Sequence, residues 1–444
     1  MSLVDLAGLG RALAAADPTP LTGRVVRATG LLVEAALPRV PVGTACEIRA
    51  KDGDLVMAEV VGFQAGTAQL MPLGEIQGIG EGCDVVPRQA ADRVAVGVGL
   101  LGRVVDANLK PVDGRPAPTL RHRTSLHAAP PPALDRRRVA RPVPLGIRAI
   151  DACLTVGEGQ RIAVMAGPGV GKSVLLGMLA RSADADVVVV GLVGERGREV
   201  REFIERDLGD GLARSVVVVA TSDESPVKRL RAATAATAVA EHFRADGKRV
   251  LLLMDSLSRV AQAQREIGLA AGEPPTTKGY PPSAFALLPR LVERAGNDAG
   301  QGSITAFYTV LAEGDDTIGD PIADATRATL DGHLILSRKL AESGHYPAID
   351  VLASVSRVMN DIVEPGHLEL ARQAREVLSA YREAADLIEV GAYAAGSNPR
   401  VDRALKCIEP LRAFLRQGPD ERSPLPQTLS RLAQLLGPAE APRA

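Results

Sequence analysis

The sequence Ala166-Gly-Pro-Gly-Val-Gly-Lys-Ser173 decides the fold of this 444-residue chain. It follows an apolar run at residues 161–165 and precedes a helical pattern at residues 174–180. A strand, a glycine-rich loop and a helix start, in this order, are the context in which a Walker A sequence binds phosphate. The strict consensus has Gly in place of Ala166, but the added methyl group removes no phosphate-binding group. The sequence therefore predicts a nucleoside triphosphate site.

This loop can bind a triphosphate through both its backbone and its side chains. Backbone N–H groups of such a loop and of the following helix N-terminus point at anionic oxygens. Lys172 can reach the β- and γ-phosphates, and the Ser173 hydroxyl can ligate Mg²⁺. The predicted nucleotide-binding residues of the segment are Gly167, Pro168, Gly169, Val170, Gly171, Lys172, Ser173 and Val174.

The composition is that of a globular protein without affinity for nucleic acid. Hydrophobic residues make up 46% and charged residues 24% of the chain, which is typical of globular domains. The formal net charge of −1 provides no basic field, and six Phe, five Tyr and no Trp provide few surfaces on which bases could stack. We therefore expect no nucleic-acid partner.

Cysteine usage and the N-terminus predict a cytoplasmic protein. The four cysteines are scattered without a CxxC pair, which indicates free thiols in a reducing compartment and no metal site. No run approaches the roughly 18 apolar residues of a membrane span. The sequence Met1-Ser-Leu-Val-Asp5 lacks the cationic region of a secretory signal.

The N-terminal part of the chain predicts a short helix and a β-barrel. Leucines recur near helical spacing in residues 1–18, where an amphipathic helix either caps its own domain or docks a partner. Residues 19–92 contain short β-rich runs, and Asp52-Gly53 is a hairpin signal between two of them. This pattern predicts a small β-barrel domain. The leucines are Leu3, Leu6, Leu9 and Leu13.

The rest of the chain predicts an α/β domain followed by helices. Residues 93–366 are the predicted P-loop ATPase domain. From Gly146 to about Pro365, apolar runs alternate with helical segments, which implies a mostly parallel sheet covered on both faces. Residues 367–444 predict a C-terminal helical domain, with helices at 368–390 and 399–417. The strand candidates of the central domain are residues 161–165, 186–192, 215–220, 250–254, 303–310 and 333–336.

Two carboxylates at predicted strand ends complete the candidate site. Val250-Leu-Leu-Leu-Met-Asp255 has the Walker B form, in which Asp255 can hold Mg²⁺ through water beside the P-loop. Hydrolysis also requires a group that polarises water, because Lys172 and Mg²⁺ stabilise charge without orienting the nucleophile. Glu195 follows a predicted strand and is the candidate, and a solvated, charge-rich turn is the alternative interpretation.

These motifs together resemble one family over nearly the whole chain, the ATPases of type III protein export. That family is related to the catalytic β subunit of rotary ATP synthases. The Ser173-Val174 pair and Ala306-Phe-Tyr-Thr309 resemble the flagellum-specific export ATPase more than its injectisome counterpart. Besides the P-loop, the resemblance rests on Gly194-Glu-Arg-Gly-Arg-Glu199, Asp255-Ser-Leu-Ser-Arg259, Ala263-Gln-Arg-Glu-Ile-Gly268, Gly279-Tyr-Pro-Pro282, His345-Tyr-Pro-Ala-Ile-Asp350 and Ser354-Val-Ser-Arg357.

The resemblance implies ATP as the substrate, Mg²⁺ as the metal, a RecA-like fold for the central domain, and a role for each matching residue. Glu195 matches the catalytic carboxylate, Glu199 a second carboxylate near the metal's water shell, and Arg196 an arginine near the γ-phosphate. Tyr346 matches the aromatic residue that stacks on adenine. Arg357 matches an arginine finger supplied by the neighbouring subunit, so the working form would be a homo-oligomeric ring, a hexamer in the family.

The resemblance also implies partners at both ends of the ring. A stator-like regulatory protein would bind the N-terminal helix, and a coiled-coil stalk protein and the export gate would meet the C-terminal end. The helical surface with Glu383, Asp386 and Glu389 beside the turn at residues 391–396 is the candidate there, although solvated charge on a surface helix explains it equally. Export substrates and chaperones, and a peripheral position at the inner face of the cytoplasmic membrane, are further expectations.

Other functions remain as alternatives. An injectisome ATPase shares most of the motifs. A subunit of a rotary ATP synthase or pump is disfavoured by the export-type P-loop. A module that binds nucleotide without hydrolysing it is disfavoured because Lys172, Glu195, Asp255 and Arg357 are all present. An RNA-translocating hexamer is disfavoured by the near-neutral charge and the scarcity of aromatic residues.

Overall fold

A computed structural model describes residues 22–37, 39–88, 93–311 and 319–437. The predicted helix within residues 1–18 and the end of the C-terminal tail lie outside these ranges. The chain divides into two compact units, Met1–Arg93 with Glu266–Glu273, and Val94–Arg265 with Pro274–Ala444.

The first unit contains the expected β-barrel. Its strands pair in the closed antiparallel order β1-β2-β5-β4-β3-β6. Asp52-Gly53 lies in the turn between β3 and β4, with Gly53 at φ 96°, as the hairpin signal predicted. Apolar side chains fill the interior, among them Val33, Ile48 and Leu70, which are fully buried. The strands are β1 (Gly23–Thr29), β2 (Leu32–Ala36), β3 (Ala45–Arg49), β4 (Leu55–Gln64), β5 (Thr67–Pro72) and β6 (Asp84–Arg88).

The second unit is built around a mostly parallel sheet. Its strand order is β17-β16-β10-β15-β13-β11-β12-β8, with β17 antiparallel at one edge and β14 antiparallel to β15. A separate ribbon pairs β7 (Arg93–Val96) with β9 (His122–Ser125). The sheet strands are β8 (Arg103–Val105), β10 (Arg161–Ala166), β11 (Val187–Glu195), β12 (Ser215–Thr221), β13 (Arg249–Asp255), β14 (Gly296–Asn297), β15 (Ser303–Leu311), β16 (Gly332–Leu336) and β17 (Val355–Ser356).

All six predicted central strands are present, each within a few residues of its expected bounds. The edge strand β8 was not expected to join this sheet. Between the ribbon and β10, the Pro-rich segment at residues 128–132 is free of helix, and a short 3₁₀ turn begins at Ala133.

Helices cover both faces of the sheet. On one face α2 and the C-terminal helices share a hydrophobic core with β10 and β11, and on the other α4 packs buried alanines and valines against β11, β12 and β13. The helices are α1 (Arg148–Cys153), α2 (Lys172–Ser182), α3 (Gly197–Glu202), α4 (Pro226–Ala245), α5 (Leu257–Ala270), α6 (Pro282–Val292), α7 (Pro321–Thr329), α8 (Arg338–Glu342), α9 (Met359–Ile362), α10 (Pro365–Glu389), α11 (Pro399–Leu415) and α12 (Leu425–Leu436).

Within the described parts of the chain, none of these helices is both long and apolar enough to cross a membrane.

The parallel register places several chemically important positions at one edge of the sheet. Leu192 pairs with Asp255 across β11 and β13, and Ala166 pairs with Leu311 across β10 and β15. Because the carboxyl ends of parallel strands meet at the same edge, the P-loop after β10 lies beside the ends of β11, β13 and β15.

The C-terminal helices pack against the nucleotide-binding domain. The helices predicted at 368–390 and 399–417 correspond to α10 and α11, and α12 was not predicted as a separate element. All three helices pack on α1, and their apolar side chains join the core that surrounds α2. The predicted domain boundary at residues 366–367 stays a prediction, since both sides belong to the same compact unit.

Arg148 of α1 is a buried polar residue that connects this helical region to the sheet domain. Its guanidinium group donates to the Phe414 carbonyl at 2.5 Å, and it also contacts the Arg416 carbonyl and the carboxylate of Glu421. Its backbone N–H donates to Oε1 of Gln417 at 2.8 Å. The side chain of Arg148 is 4% exposed, so these partners replace water for a charged group.

We predict that Arg148→Ala lowers the free energy of unfolding by about 2–4 kcal/mol, because it leaves buried carbonyls without donors. The melting temperature should fall by about 5 °C or more. Arg372→Ala is the matched control, since Arg372 forms its ion pairs on the exposed surface of α10. This control should change stability by no more than about 0.5 kcal/mol. Equal melting temperatures for the two variants would contradict the role of Arg148.

Candidate active site

The P-loop has the conformation expected of a phosphate cradle. It connects β10 to α2 through residues 167–171, and the helix begins at Lys172. Gly171 has φ 90°, a left-handed conformation that a residue with a side chain rarely adopts. Because Gly171 also has no side chain that could cap α2, the first-turn N–H groups of the helix are available to an anion.

The Lys172 ammonium lies between two carboxylates. Its Nζ is 2.7 Å from Oδ1 of Asp255 and 3.2 Å from Oε1 of Glu195. The side chains of Lys172, Asp255 and Glu195 are 14%, 4% and 13% exposed. Three residues that follow or end different strands therefore meet in one largely buried cluster. The sequence predicted each of them to lie at this edge of the sheet.

The electrostatics of this cluster keep Lys172 charged. Burial acts to lower the pKa of Lys172, but the Asp255 and Glu195 carboxylates outweigh burial and raise it above its usual value. Burial raises the pKa of Asp255, with Lys172 and the Thr309 hydroxyl acting in the opposite direction. A triphosphate entering the site would offer Lys172 new anionic partners in place of these carboxylates.

Glu195 reaches the cluster because β11 is irregular at its end. The pairing with β12 shifts between Val193 and Glu195, where Gly194 has φ 72°. A Cβ atom on Gly194 would lie 2.9 Å from Cβ of Arg259, so only glycine allows this close approach of α5. Glu195 is thereby held beside Lys172 and faces the cleft.

Arg196 and Glu199 also face the cleft but lie outside the Lys172 cluster. Nη1 of Arg196 is 3.5 Å from Oε1 of Glu199, and Glu199 also pairs with Arg198 at 3.8 Å. The Arg196 side chain is 76% exposed. Their predicted roles near the γ-phosphate and the metal's water shell stay predictions.

The cleft over the P-loop encloses about 980 Å³, ample for a nucleotide. Among its lining residues, six are Lys or Arg and four are Asp or Glu, counted over the part of the chain that the structure describes. Its lining includes most of the sequence-predicted site residues, namely Gly167, Pro168, Gly169, Gly171, Lys172, Ser173, Val174, Glu195, Arg196, Glu199 and Asp255. Val170 differs, because its side chain is buried in the hydrophobic core and only its backbone could contribute.

The structure adds two residues that sequence reasoning missed. Thr309, on β15, donates from Oγ1 to Oδ1 of Asp255 at 2.6 Å. Arg259 lines the cleft, and its buried Nε has no hydrogen-bond partner among the residues that the structure describes, while its Nη1 donates to Gln262 at 2.9 Å. The sequence signal for Thr309 was a polar residue near the end of a buried strand. The signal for Arg259 was an arginine four residues after the Walker B aspartate.

Tyr346 lies beside the P-loop. A Cβ atom on Gly171 would be 3.4 Å from ring carbons Cδ1 and Cε1 of Tyr346, and the residue is 44% exposed. An aromatic face that is partly open next to the phosphate cradle suits a base-stacking role. The Tyr346 carbonyl accepts from the N–H of Gln417 at 2.8 Å, which connects this position to the C-terminal helices.

Arg357 is not brought to the P-loop of its own chain. It follows β17, which pairs antiparallel with β16 so that Ser356 lies opposite Gly332 at the amino end of β16. The P-loop follows the carboxyl end of β10, which runs parallel to β16. Arg357 is exposed there and donates from Nη2 to the Arg327 carbonyl at 2.9 Å. The two groups thus lie at opposite ends of the sheet.

The residues present fit Mg²⁺ held jointly with a triphosphate. Ser173 lies on the first turn of α2 and lines the same cleft as Asp255, so a hydroxyl and a carboxylate can act together. Mg²⁺ is commonly bound by one or two protein groups together with substrate phosphates. The structurally described residues contain no group of three or more His, Cys, Asp or Glu arranged as a metal site. Fold and site together define a P-loop nucleoside triphosphatase.

Three family profiles match successive parts of the chain. The beta-barrel domain of the ATP synthase alpha/beta family matches residues 25–88, and the nucleotide-binding domain of that family matches residues 146–356. The T3SS EscN ATPase C-terminal domain matches residues 363–434. The order of these matches agrees with the predicted barrel, ATPase and helical domains.

Individual proteins are similar over nearly the full length. The flagellum-specific ATP synthase of Pseudomonas aeruginosa is 52% identical over 424 residues, and the alignment covers 94% of each chain. The type 3 secretion system ATPase of Xanthomonas euvesicatoria is 52% identical over 415 residues, with 93% of each chain covered. The assembled ATPase EscN in complex with its central stalk EscO, from enteropathogenic E. coli, has a TM-score of 0.86 and 40% identity, covering 94% of this chain and 100% of that one.

The chain therefore belongs to the ATP synthase alpha/beta family, within the branch of flagellum-specific and type III secretion ATPases. This confirms the resemblance drawn from the motifs, and it confirms the predicted fold class.

We predict that Glu195→Gln lowers ATP turnover about 100-fold or more while Mg·ATP affinity stays within about threefold, because the amide keeps the shape but cannot take a proton from water. Steady-state phosphate release and binding of a fluorescent ATP analogue measure the two effects. Glu205→Gln is the matched control, since Glu205 pairs with Arg201 on the surface. Turnover of Glu195→Gln close to that of the control would remove Glu195 from this role.

Proposed function

We propose that the chain hydrolyses Mg·ATP to energise or prime flagellar type III protein export. The observation that carries the proposal is the meeting of Lys172, Asp255 and Glu195 at the P-loop end of the sheet. A loop that only binds nucleotide needs the lysine, but it has no need of a second carboxylate placed for water. The names of the similar proteins support the export function.

Each residue of the cluster has a distinct part in the proposed reaction. The P-loop N–H groups and Lys172 bind the phosphates, and Asp255 and Ser173 hold the metal's ligand shell. Mg²⁺, when bound, neutralises charge that develops on the transferred phosphoryl group. Glu195 orients the attacking water and takes its proton. Arg196 and Glu199, which line the same cleft, act near the γ-phosphate in this proposal, and Tyr346 stacks on adenine.

The proposed working form is a homo-oligomeric ring, a hexamer as in the family. Arg357 is exposed at the end of the sheet opposite its own P-loop, which suits a finger that enters the site of the next subunit. The similarity to the assembled EscN supports a ring. Head-to-tail contacts between identical subunits close into a ring when the rotation allows it.

Further partners are assigned by analogy with the same relatives. The complex of EscN with its central stalk EscO supports a coiled-coil stalk for this chain, bound at the C-terminal helical end. There α10 carries Glu383, Asp386 and Glu389, and Leu387 and Val390 are 52% and 75% exposed. The regulatory protein at the N-terminus, the export gate, substrates, chaperones and a cytoplasmic position at the membrane complete the proposal.

An injectisome is the second candidate setting. The Xanthomonas type 3 secretion ATPase is as similar as the Pseudomonas flagellar enzyme, at 52% identity each. The match to the T3SS EscN C-terminal domain at residues 363–434 disfavours a rotary synthase subunit. The chemistry proposed above is the same in either setting.

We predict that Arg357→Ala and Lys172→Ala are each nearly inactive and that mixing them restores activity. An arginine finger contributes roughly 10³ to 10⁵ in rate, so an interface that lacks Arg357 is nearly inactive. An interface whose P-loop lacks Lys172 is inactive because the phosphates lose their ammonium partner. At equal mixing, about one quarter of head-to-tail interfaces pair an intact P-loop with an intact finger. Phosphate release by the mixture measures the recovery.

The control mixture is Lys172→Ala with Glu195→Gln. Both changes damage the same site, so no interface regains a complete set of groups and the mixture should stay inactive. If mixed oligomers form and the Arg357→Ala mixture is no more active than this control, Arg357 does not act across subunits.

A further inference from the structure

Thr309 is a buried hydroxyl in direct contact with the Walker B carboxylate. It lies near the carboxyl end of β15, the strand hydrogen-bonded to β13, and is fully buried. Its Oγ1 is 2.6 Å from Oδ1 of Asp255 and 3.4 Å from the Met254 carbonyl. Because a carboxylate only accepts, Thr309 must be the donor in the shorter bond.

Lys172 and Thr309 hold Asp255 through the same oxygen. Nζ of Lys172 donates to Oδ1 at 2.7 Å, and Oγ1 of Thr309 donates to Oδ1 at 2.6 Å. Neither bond uses Oδ2. Two donors on one oxygen fix the plane of the carboxylate and leave the other oxygen for a metal-bound water.

The two donors do not have the same fate when nucleotide binds. Lys172 is the P-loop lysine, and a triphosphate draws its ammonium away from the carboxylates. Thr309 belongs to a buried sheet strand and has no phosphate to move to. Thr309 is then the side chain that continues to restrain Oδ1.

We propose that Thr309 is a positioning residue that keeps Asp255 oriented toward the metal after Lys172 has turned to the phosphates. The inference rests on the proposed Mg·ATP function, and it concerns the metal's contribution to nucleotide affinity. Partners of this kind, hydrogen-bonded to a residue of a metal site, typically change metal affinity 10- to 100-fold when removed.

The test compares Thr309→Val with Thr309→Ser. Valine keeps the shape and removes the donor, whereas serine keeps the donor and removes only a methyl group. The Kd of a fluorescent ATP analogue is measured in EDTA and in MgCl₂, and their ratio gives the contribution of the metal. We expect the ratio to fall about 10-fold in Thr309→Val, with the Kd in EDTA unchanged within about twofold, and to recover in Thr309→Ser.

Thr305→Val is the matched control. Thr305 is on the same strand and 4% exposed, and its Oγ1 accepts from the Gly159 N–H at 2.9 Å, away from the P-loop. This variant loses a buried hydrogen bond of a threonine hydroxyl on the same strand, and it should keep the wild-type ratio.

Three outcomes would overturn the role of Thr309. The first is a ratio of the Kd in EDTA to the Kd in MgCl₂ that stays at the wild-type value in Thr309→Val. The second is a fall of this ratio in Thr309→Ser as large as in Thr309→Val. The third is an equally large fall in Thr305→Val. A wild-type protein whose affinity for the analogue is the same in EDTA and in MgCl₂ would contradict the proposed function itself. The two failures are therefore distinguishable.

Discussion

A buried ammonium between two carboxylates is the interaction on which the rest of this structure depends. An isolated charge in such a position would cost several kcal/mol, so Lys172 can be placed there only if Asp255 and Glu195 arrive with it. They do so because β10, β11 and β13 run parallel and end at the same edge of the sheet. The strand order of the second unit thus assembles the site, and the P-loop alone does not.

The same constraint explains why binding and catalysis are linked in this site. Asp255 and Glu195 neutralise Lys172 in the structure, and in the proposed mechanism the same carboxylates serve the metal and the attacking water. A triphosphate that drew the ammonium to its own oxygens would free both carboxylates for these proposed roles. In the proposed mechanism the set within one subunit is still incomplete, because Arg357 lies at the other end of the sheet and is exposed.

Much of the fold and of the candidate site could be predicted from the sequence, because the decisive signals are local. The strand, loop and helix around Lys172, the apolar run ending at Asp255 and the alternation of strands and helices follow from short-range patterns. Thr309 could not be assigned, because its role depends on β15 lying beside β13, and strand order is a long-range property. The structural role of Arg148 could not be predicted for the same reason, since its partners near residue 415 are distant in sequence. The edge strand β8 is only three residues long and carries little periodic signal.

Phosphate release measured against protein concentration tests whether a complete active site exists only where two copies of this chain meet, as we propose from the position of Arg357. We expect turnover per chain to be nearly zero in dilute protein, to rise steeply as subunits associate and then to reach a plateau. The rise should coincide with the appearance of oligomers measured by light scattering in the same samples. Turnover per chain that stays constant from concentrations at which the protein is monomeric upward would show a site complete within one subunit. That result would contradict the proposed action of Arg357 across subunits.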